Sequence, residues 1–117
     1  MKRTLLLTIA LNALALGALA QNVNIPDANF KAYLVGNSSI NTNSDTEVQV
    51  SEATAFTGNI FGSNLSISDL TGIEAFTSLT GLYVRNNNLG SLDVSANGAL
   101  TYIDCQNAGL STLNISS

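Results

Sequence analysis

The chain has 117 residues, enough for one small domain. It carries four Lys and Arg against eight Asp and Glu, a single Cys, and no His or Trp. These counts exclude an intramolecular disulfide and a His-activated nucleophile, and the lack of clustered bases argues against a nucleic-acid or anionic-membrane surface.

Residues 1–20 read as a secretory signal peptide. Lys2 and Arg3 form a positive start, Leu5 to Leu16 an apolar stretch, and Ala18-Leu19-Ala20 a small-x-small cleavage site before Gln21. No Cys follows that site, so lipoprotein attachment chemistry is not available there. The expected product is exported, to the medium or the outer surface of a bacterium, with no membrane insertion after cleavage. Residues 21–117 keep only Lys31 and Arg85 against all eight acids, a formal charge of −6. That balance suits bound cations or basic partners.

Residues 21–58 read as a helical cap. Ile25-Pro26-Asp27 opens a helix, with Pro at or near the first helical position and Asp27 in the first turn. Phe30, Tyr33 and Leu34 form one apolar stripe, and Gly36-Asn37 ends it. A polar loop from Asn41 to Glu47 precedes a second short helix expected over residues 51–57, with Ser51 as its cap.

The loop has calcium-loop spacing. Asn41, Asn43 and Asp45 stand at positions 1, 3 and 5, Glu47 supplies a backbone carbonyl, and Glu52 takes the bidentate place at position 12. Position 1 lacks a charge, and Thr46 stands where the sharp turn needs Gly. Two readings follow: weak calcium binding, or an empty polar loop of calcium-loop ancestry. The two departures favour the empty loop, so no cofactor is expected beyond weak calcium.

Residues 59–117 repeat. Leu79, Leu82, Val84, Leu89, Leu92 and Val94 are each followed 21 positions later by Leu100, Ile103, Cys105, Leu110, Leu113 and Ile115. A poorer copy lies upstream, with Ile60, Gly62, Ile67 and Leu70 standing 22 positions before Leu82, Val84, Leu89 and Leu92. Within Leu79-x-x-Leu82-x-Val84 the last two apolar residues keep the strand period, so both face one side. The Asn86-Asn87-Asn88 run turns the chain back. One such coil cannot bury its apolar face alone, whereas about three stacked coils share a column of side chains between parallel strands.

The segment Leu79-x-x-Leu82-x-Val84-x-x-Asn87-x-Leu89-x-x-Leu92 resembles the leucine-rich-repeat consensus. With Cys105 in a strand core position and the SLDVSAN segment between strands, it resembles secreted repeat proteins of Bacteroidetes-type bacteria. Residues 67–73 are similar to internalin-type repeats, and the stretch from Ile25 through Ala53 resembles the EF-hand-like cap that precedes such repeats. The resemblance implies an α/β solenoid: a short right-handed leucine-rich-repeat coil with parallel strands and a small helical N-terminal cap. It also implies a turn-binding Asn, present as Asn87 but replaced by Ala108 and Leu65 in the neighbouring coils. An adjacent column holds Asn64, Asn86 and Asn107 and is positioned to share that task. Relatives carry more repeats and often a sorting domain, so the chain reads as a piece of a longer protein.

Residues between the buried strand positions face outward. By the repeat register these are Asn59, Phe61 and Ser63, then Gly81, Tyr83 and Arg85, then Tyr102, Asp104 and Gln106. Phe61, Tyr83, Arg85, Tyr102, Asp104 and Gln106 are the residue types of interest for a ligand face, since exposed aromatics beside Arg are common binding anchors. Ordinary cross-strand packing accounts for them equally well. Cys105 points inward and packs as a small hydrophobe. The acids form no converging motif, so no catalysis is expected. The resulting expectation is a secreted or cell-surface adhesion module whose partner is a protein or glycan. Two alternatives are a calcium-stabilised cap of a longer solenoid and a targeting domain of a larger exported protein. The last coil leaves Leu100, Ile103, Leu110 and Leu113 uncovered, which predicts marginal stability or self-association through that end.

Overall fold

A computed structural model describes residues 21–115; the segment read as a signal peptide and the last two serines lie outside the described residues. Helix α1 spans Ala28–Val35. Asp27 is its N-cap rather than a first-turn residue, accepting a hydrogen bond from the Phe30 amide at 2.9 Å. Pro26 therefore stands just outside the helix. Phe30 and Leu34 are buried, while the Tyr33 ring is only half-buried.

Helix α2 spans Val50–Ala55, starting and ending before the expected 51–57. Gln49, not Ser51, is the cap. The reason lies in Glu52, whose Oε1 reaches back to accept the Gln49 N–H at 3.0 Å and fixes the helix start there. The chain around this cap is tied to the N-terminal stretch, where Val23 N–H donates to the Val48 carbonyl and Val50 N–H to the Gln21 carbonyl.

Beyond the helices the chain forms strands β1 (Asn59–Phe61), β2 (Gly81–Tyr83), β3 (Gly90–Asp93), β4 (Tyr102–Asp104) and β5 (Leu110–Asn114), with a 3₁₀ turn at Ile73–Ala75. Strands β1, β2 and β4 form one parallel sheet in that order, and β3 pairs in parallel with β5. Ile60 stands beside Leu82, and Leu82 beside Ile103. The 22-residue and 21-residue offsets in the sequence are thus the strand registers. This is a repeat-type, mixed fold in which successive repeats lie side by side.

The core runs through these repeats: Ile60, Ile67, Leu79, Leu82 and Val84 are fully buried, and Leu70, Leu89, Leu92 and Val94 nearly so. Phe30, Leu34, Ile40 and Val48 from the helical segment belong to the same cluster. Phe56 meets Phe76 edge to face at 6.4 Å, bringing the end of α2 onto the first repeat. The last layer is open, as expected around Leu100, Ile103, Leu110 and Leu113, and Leu113 is 44% exposed; Ile115, which takes the repeat place of the buried Val94, is 64% exposed and does not share the interior. Leu100, Ile103, Cys105 and Leu110 are only half-buried. No repeat follows among the described residues to cover them, so the last apolar layer has one packed face. The second sheet also slips between Gly90 and Ser91, where Gly90 pairs with Leu110 but Ser91 with Thr112.

Turns are set by Asn. Asn64, Asn86 and Asn107 all adopt positive φ, between 55° and 60°, a conformation Asn tolerates better than most residues. The Asn86 amide donates to Asn64 Oδ1 at 2.9 Å, so the column is hydrogen-bonded between repeats. Asn87 staples the preceding repeat from both directions. Its Nδ2 donates to the Gly62 and Val84 carbonyls, and its Oδ1 accepts from the Ile67 amide. Ala108 cannot do this, and it is simply buried.

Candidate functional face

The outward positions of β1, β2 and β4 bring three aromatic rings together. Phe61 is the direct register partner of Tyr83, and the two rings stack with centroids 4.9 Å apart and planes 24° apart. Tyr83 lies diagonal to Tyr102, and those rings sit 5.0 Å apart with planes at 33°. The first pair follows from register, since in-register parallel strands place equivalent side chains one strand spacing apart, and the second from the reach of an aromatic side chain to its diagonal neighbour. Each stacked pair contributes roughly 0.5–1.5 kcal/mol beyond area burial. Even so, Phe61 remains 59% and Tyr102 51% exposed. Stacking uses ring faces within the row, so the row offers solvent its ring edges and the outer faces of its two end rings.

Gly81 lies against the Asn59 side chain, which a Cβ at position 81 would strike, whereas the Tyr83 ring would stay at ordinary contact distance. At the N-terminal border of the row the Tyr33 hydroxyl accepts the Phe61 N–H at 2.9 Å. The sequence reading assigned Tyr33 only to an apolar stripe and missed this contact. A tyrosine where a leucine would serve the stripe equally well was the available signal.

The polar end of the face is an ion pair. Arg85 Nη2 and Nε donate to Asp104 Oδ2 at 2.7 and 3.2 Å, linking the end of β2 to β4. The guanidinium holds the Asp104 carboxyl below its usual range, with the Gln106 N–H adding to the effect, and the carboxylate raises Arg85 in turn. Arg85 N–H also donates to Ser63 Oγ. All six residues singled out in the sequence therefore lie on the outward side of the first sheet and its continuation. Phe61, Tyr83 and Tyr102 form a contiguous row, Arg85 and Asp104 a neutralised pair, and Gln106 an exposed flank.

The 41–52 loop is organised differently. Glu52 is buried, and its Oε2 accepts from the Thr42 N–H at 2.8 Å, the Thr42 hydroxyl at 3.2 Å and the Asn43 N–H at 3.2 Å. Asp45 Oδ2 accepts from the side-chain amides of Asn43 and Gln49. The Glu47 side chain pairs with Lys31 Nζ at 2.8 Å. Asn41 is buried, with Nδ2 donating to the Val35 and Asp45 carbonyls and Oδ1 left without a donor. The three carboxylates point to three different sets of donors. Among the described residues no cluster of three His, Cys, Asp or Glu side chains converges as a metal set. Cys105 is half-buried and packs against the core cluster.

Comparison with known proteins adds the following. No protein-family model matches the chain, and no curated protein does. Solved structures do. The functional domain of InlJ from Listeria monocytogenes, described as including a cysteine ladder, is 34% identical over 74% of this chain with a TM-score of 0.60. The structure of the CBM51-2 and INT domains of Clostridium perfringens ZmpB matches 73% of this chain at 24% identity, TM-score 0.53. A second ZmpB structure, with CBM51-2 in complex with GlcNAc, matches 72% at 24% identity, TM-score 0.52. The chain spans 17–19% of the length of these structures. The likeness to ZmpB is one of fold. The parallel-strand, repeat-type arrangement is thus shared with domains of bacterial proteins. Among the described residues no helix is long and apolar enough to cross a membrane.

Proposed function

We propose that this chain is a non-catalytic recognition module of a bacterial cell surface, built as a short leucine-rich-repeat solenoid behind a helical cap. Residues 1–20 export it, residues 21–58 form the cap, and residues 59–117 form the coils. Its ligand face is the row Phe61–Tyr83–Tyr102 with the Arg85–Asp104 pair and Gln106 at its polar end. The observation that carries this reading is the row itself: three contacting rings on one sheet face, two of them more than half exposed. An exposed aromatic cluster beside Arg is the composition of interface anchors, and it is costly to leave in water without a partner. The similarity to the InlJ functional domain supports an internalin-like surface role, and the Bacteroidetes-type kinship belongs to the same reading. The partner is a protein or a glycan; the GlcNAc bound in one similar structure makes that sugar a sensible first probe.

The test compares the unchanged chain with Tyr83→Ala plus Tyr102→Ala. Binding would be measured to a panel of cell-surface proteins and to an immobilised glycan panel containing GlcNAc. Loss of binding by the double variant, with its melting transition kept, is the expected result. Equal binding by both proteins would remove the face from the proposal.

A second reading is a calcium-stabilised cap of a longer solenoid. Asn41 Oδ1 favours it, since a buried acceptor without a donor suits a hard cation. Glu52 opposes it, because its oxygens are already taken by N–H and O–H donors. A melting temperature that rises with millimolar calcium would move the balance to this reading.

A further inference from the structure

Arg85 spends only part of its donor set within the chain. Nε and Nη2 both donate to one oxygen of Asp104, Oδ2, at 3.2 and 2.7 Å. Those two nitrogens form the side edge of the guanidinium. The end edge, Nη1 with the second N–H of Nη2, has no acceptor among the described residues. Such an edge takes a carboxylate through two parallel hydrogen bonds. Asp104 is not free to turn to it, because its other oxygen already accepts the Gln106 N–H at 3.2 Å. The pair is also lopsided toward solvent. The Arg85 side chain is 48% exposed and that of Asp104 13%, so the cation is shown and the anion is covered.

That cation stands apart in this chain. The only other base of residues 21–117 is Lys31, which Glu47 engages at 2.8 Å. The acids gather elsewhere: Asp69, Glu74 and Asp93 line one pocket beside β3, and four more belong to the cap. On the outward side of the first sheet, Arg85 and Asp104 are the only charged residues.

Tyr83 stands two residues before Arg85 on the same extended run. Gly62 N–H donates to the Tyr83 carbonyl and Asn64 N–H to the Arg85 carbonyl, so the ladder carries strand alternation as far as Arg85. Residues two apart on a strand face the same side about 7 Å apart. Tyr83 lies between Phe61 and Tyr102, with a ring on either side. A sugar ring lays its C–H groups on the electron-rich face of an aromatic ring, and neither face of Tyr83 is open. What Tyr83 presents is its edge, the positive part of the ring quadrupole.

We propose that the ligand face takes a protein segment carrying an Asp or Glu carboxylate beside an apolar side chain, with the carboxylate on the end edge of Arg85 and the apolar group on the edges of Phe61 and Tyr83. The proposal rests on the ligand-face reading above and narrows protein or glycan to protein. In an extended partner segment, residues i and i+2 have the required spacing of about 7 Å. Asp104 is then a positioning residue. It holds the side edge of the guanidinium, so Arg85 is ordered before the ligand arrives and less freedom is lost on binding. The net negative charge of the chain steers basic proteins toward it, whereas this site selects a carboxylate within the docked segment.

The test selects from a displayed library of random linear peptides on the immobilised chain. The expected result is enrichment of sequences with Asp or Glu two residues from Phe, Tyr, Leu or Ile. A synthetic peptide of the enriched sequence should bind Arg85→Gln about tenfold or more weakly. Changing its acid to the amide should weaken binding to the unchanged chain by a similar factor and add little to the loss in Arg85→Gln. That non-additivity reports the direct contact, which a general loss of structure would not produce. Arg85→Lys keeps the charge without the fork and should fall between the two. Melting curves confirm that both variants are folded. Enriched peptides without an acid, equal affinity for the acid and amide peptides, additive losses, or no enrichment would each overturn the proposal. Binding to the GlcNAc-containing panel that depends on Tyr83 and Tyr102, with no acidic peptide selected, would remove the carboxylate partner and keep the recognition face. Binding that neither Tyr83→Ala nor Arg85→Gln alters would remove the face as well.

Discussion

The Phe61 and Tyr83 rings stack outside the sheet because Ile60 and Leu82 stand side by side within it, one residue earlier on the same two strands. Strand alternation ties the two contacts together. A slip of one residue in either strand would send an aromatic ring into the core and an aliphatic side chain to water. The buried column and the exposed row are therefore one structural decision, and changes to the column act on the row.

Column depth is unequal, and this gives a direct prediction. Leu82 is fully buried between two strands, while its partner Ile103 is half-buried. Leu82→Ala should cost roughly 2–5 kcal/mol, and Ile103→Ala clearly less, because a partly open site leaves a smaller cavity. Urea unfolding of both variants checks the order. Equal losses would mean that the last repeat is covered in solution.

Asn87 should matter more than its partly exposed position indicates. It satisfies two carbonyls and an amide of two repeats at once. Asn87→Ala leaves those groups short of partners and should destabilise by about 1–3 kcal/mol. Asn88→Ala, next to it in an exposed position, serves as the control. Equal unfolding midpoints for the two variants would contradict the assigned role.

Asp27 gives a pH dependence. Burial would raise its pKa, but hydrogen bonds from the Phe30 N–H and from the Ser68 N–H and hydroxyl outweigh it and hold the carboxyl below 3.8. A folded value below the unfolded one means that the stabilisation is complete above the unfolded value. It is lost as pH falls through the folded value. Stability should therefore decline below about pH 4, and Asp27→Asn should flatten part of that decline. Since Asp27 also caps α1, Asp27→Ala should cost roughly 0.5–2 kcal/mol at neutral pH. An acid profile identical in the Asn variant would show that the carboxylate is not the titrating group.

Glu52 separates the two readings of the 41–52 loop. Its carboxylate gathers backbone amides of Thr42, Asn43 and Gln49. Glu52→Gln should lower the melting temperature equally with calcium and with chelator, since one acceptor oxygen becomes a donor facing N–H groups. A loss seen only in calcium would assign Glu52 to a cation instead.

Much of this arrangement was legible in the sequence because it is periodic. The 21-residue and 22-residue offsets are the strand registers, and the outward triplets that include Phe61, Tyr83 and Tyr102 follow from strand alternation. What was not legible depends on contacts between distant segments. Ser51 looks like a helix cap, but Glu52 reaching back to Gln49 moves the start. Tyr33 reads as part of an apolar stripe until the β1 edge is placed beside it. Ile115 takes the repeat place of the buried Val94, yet it stands in solvent. Calcium-loop spacing gives positions along a chain and not the direction of a carboxylate.

The central claim is that the aromatic row is the recognition surface. Its most direct test is the binding of the Tyr83→Ala, Tyr102→Ala variant to the cell-surface protein and glycan panels, beside a Ser91→Ala control on the second sheet. A drop of about tenfold or more in affinity for the row variant, with the control unchanged, is what this structure predicts. Undiminished binding by the row variant, or an equal loss in both, would contradict it.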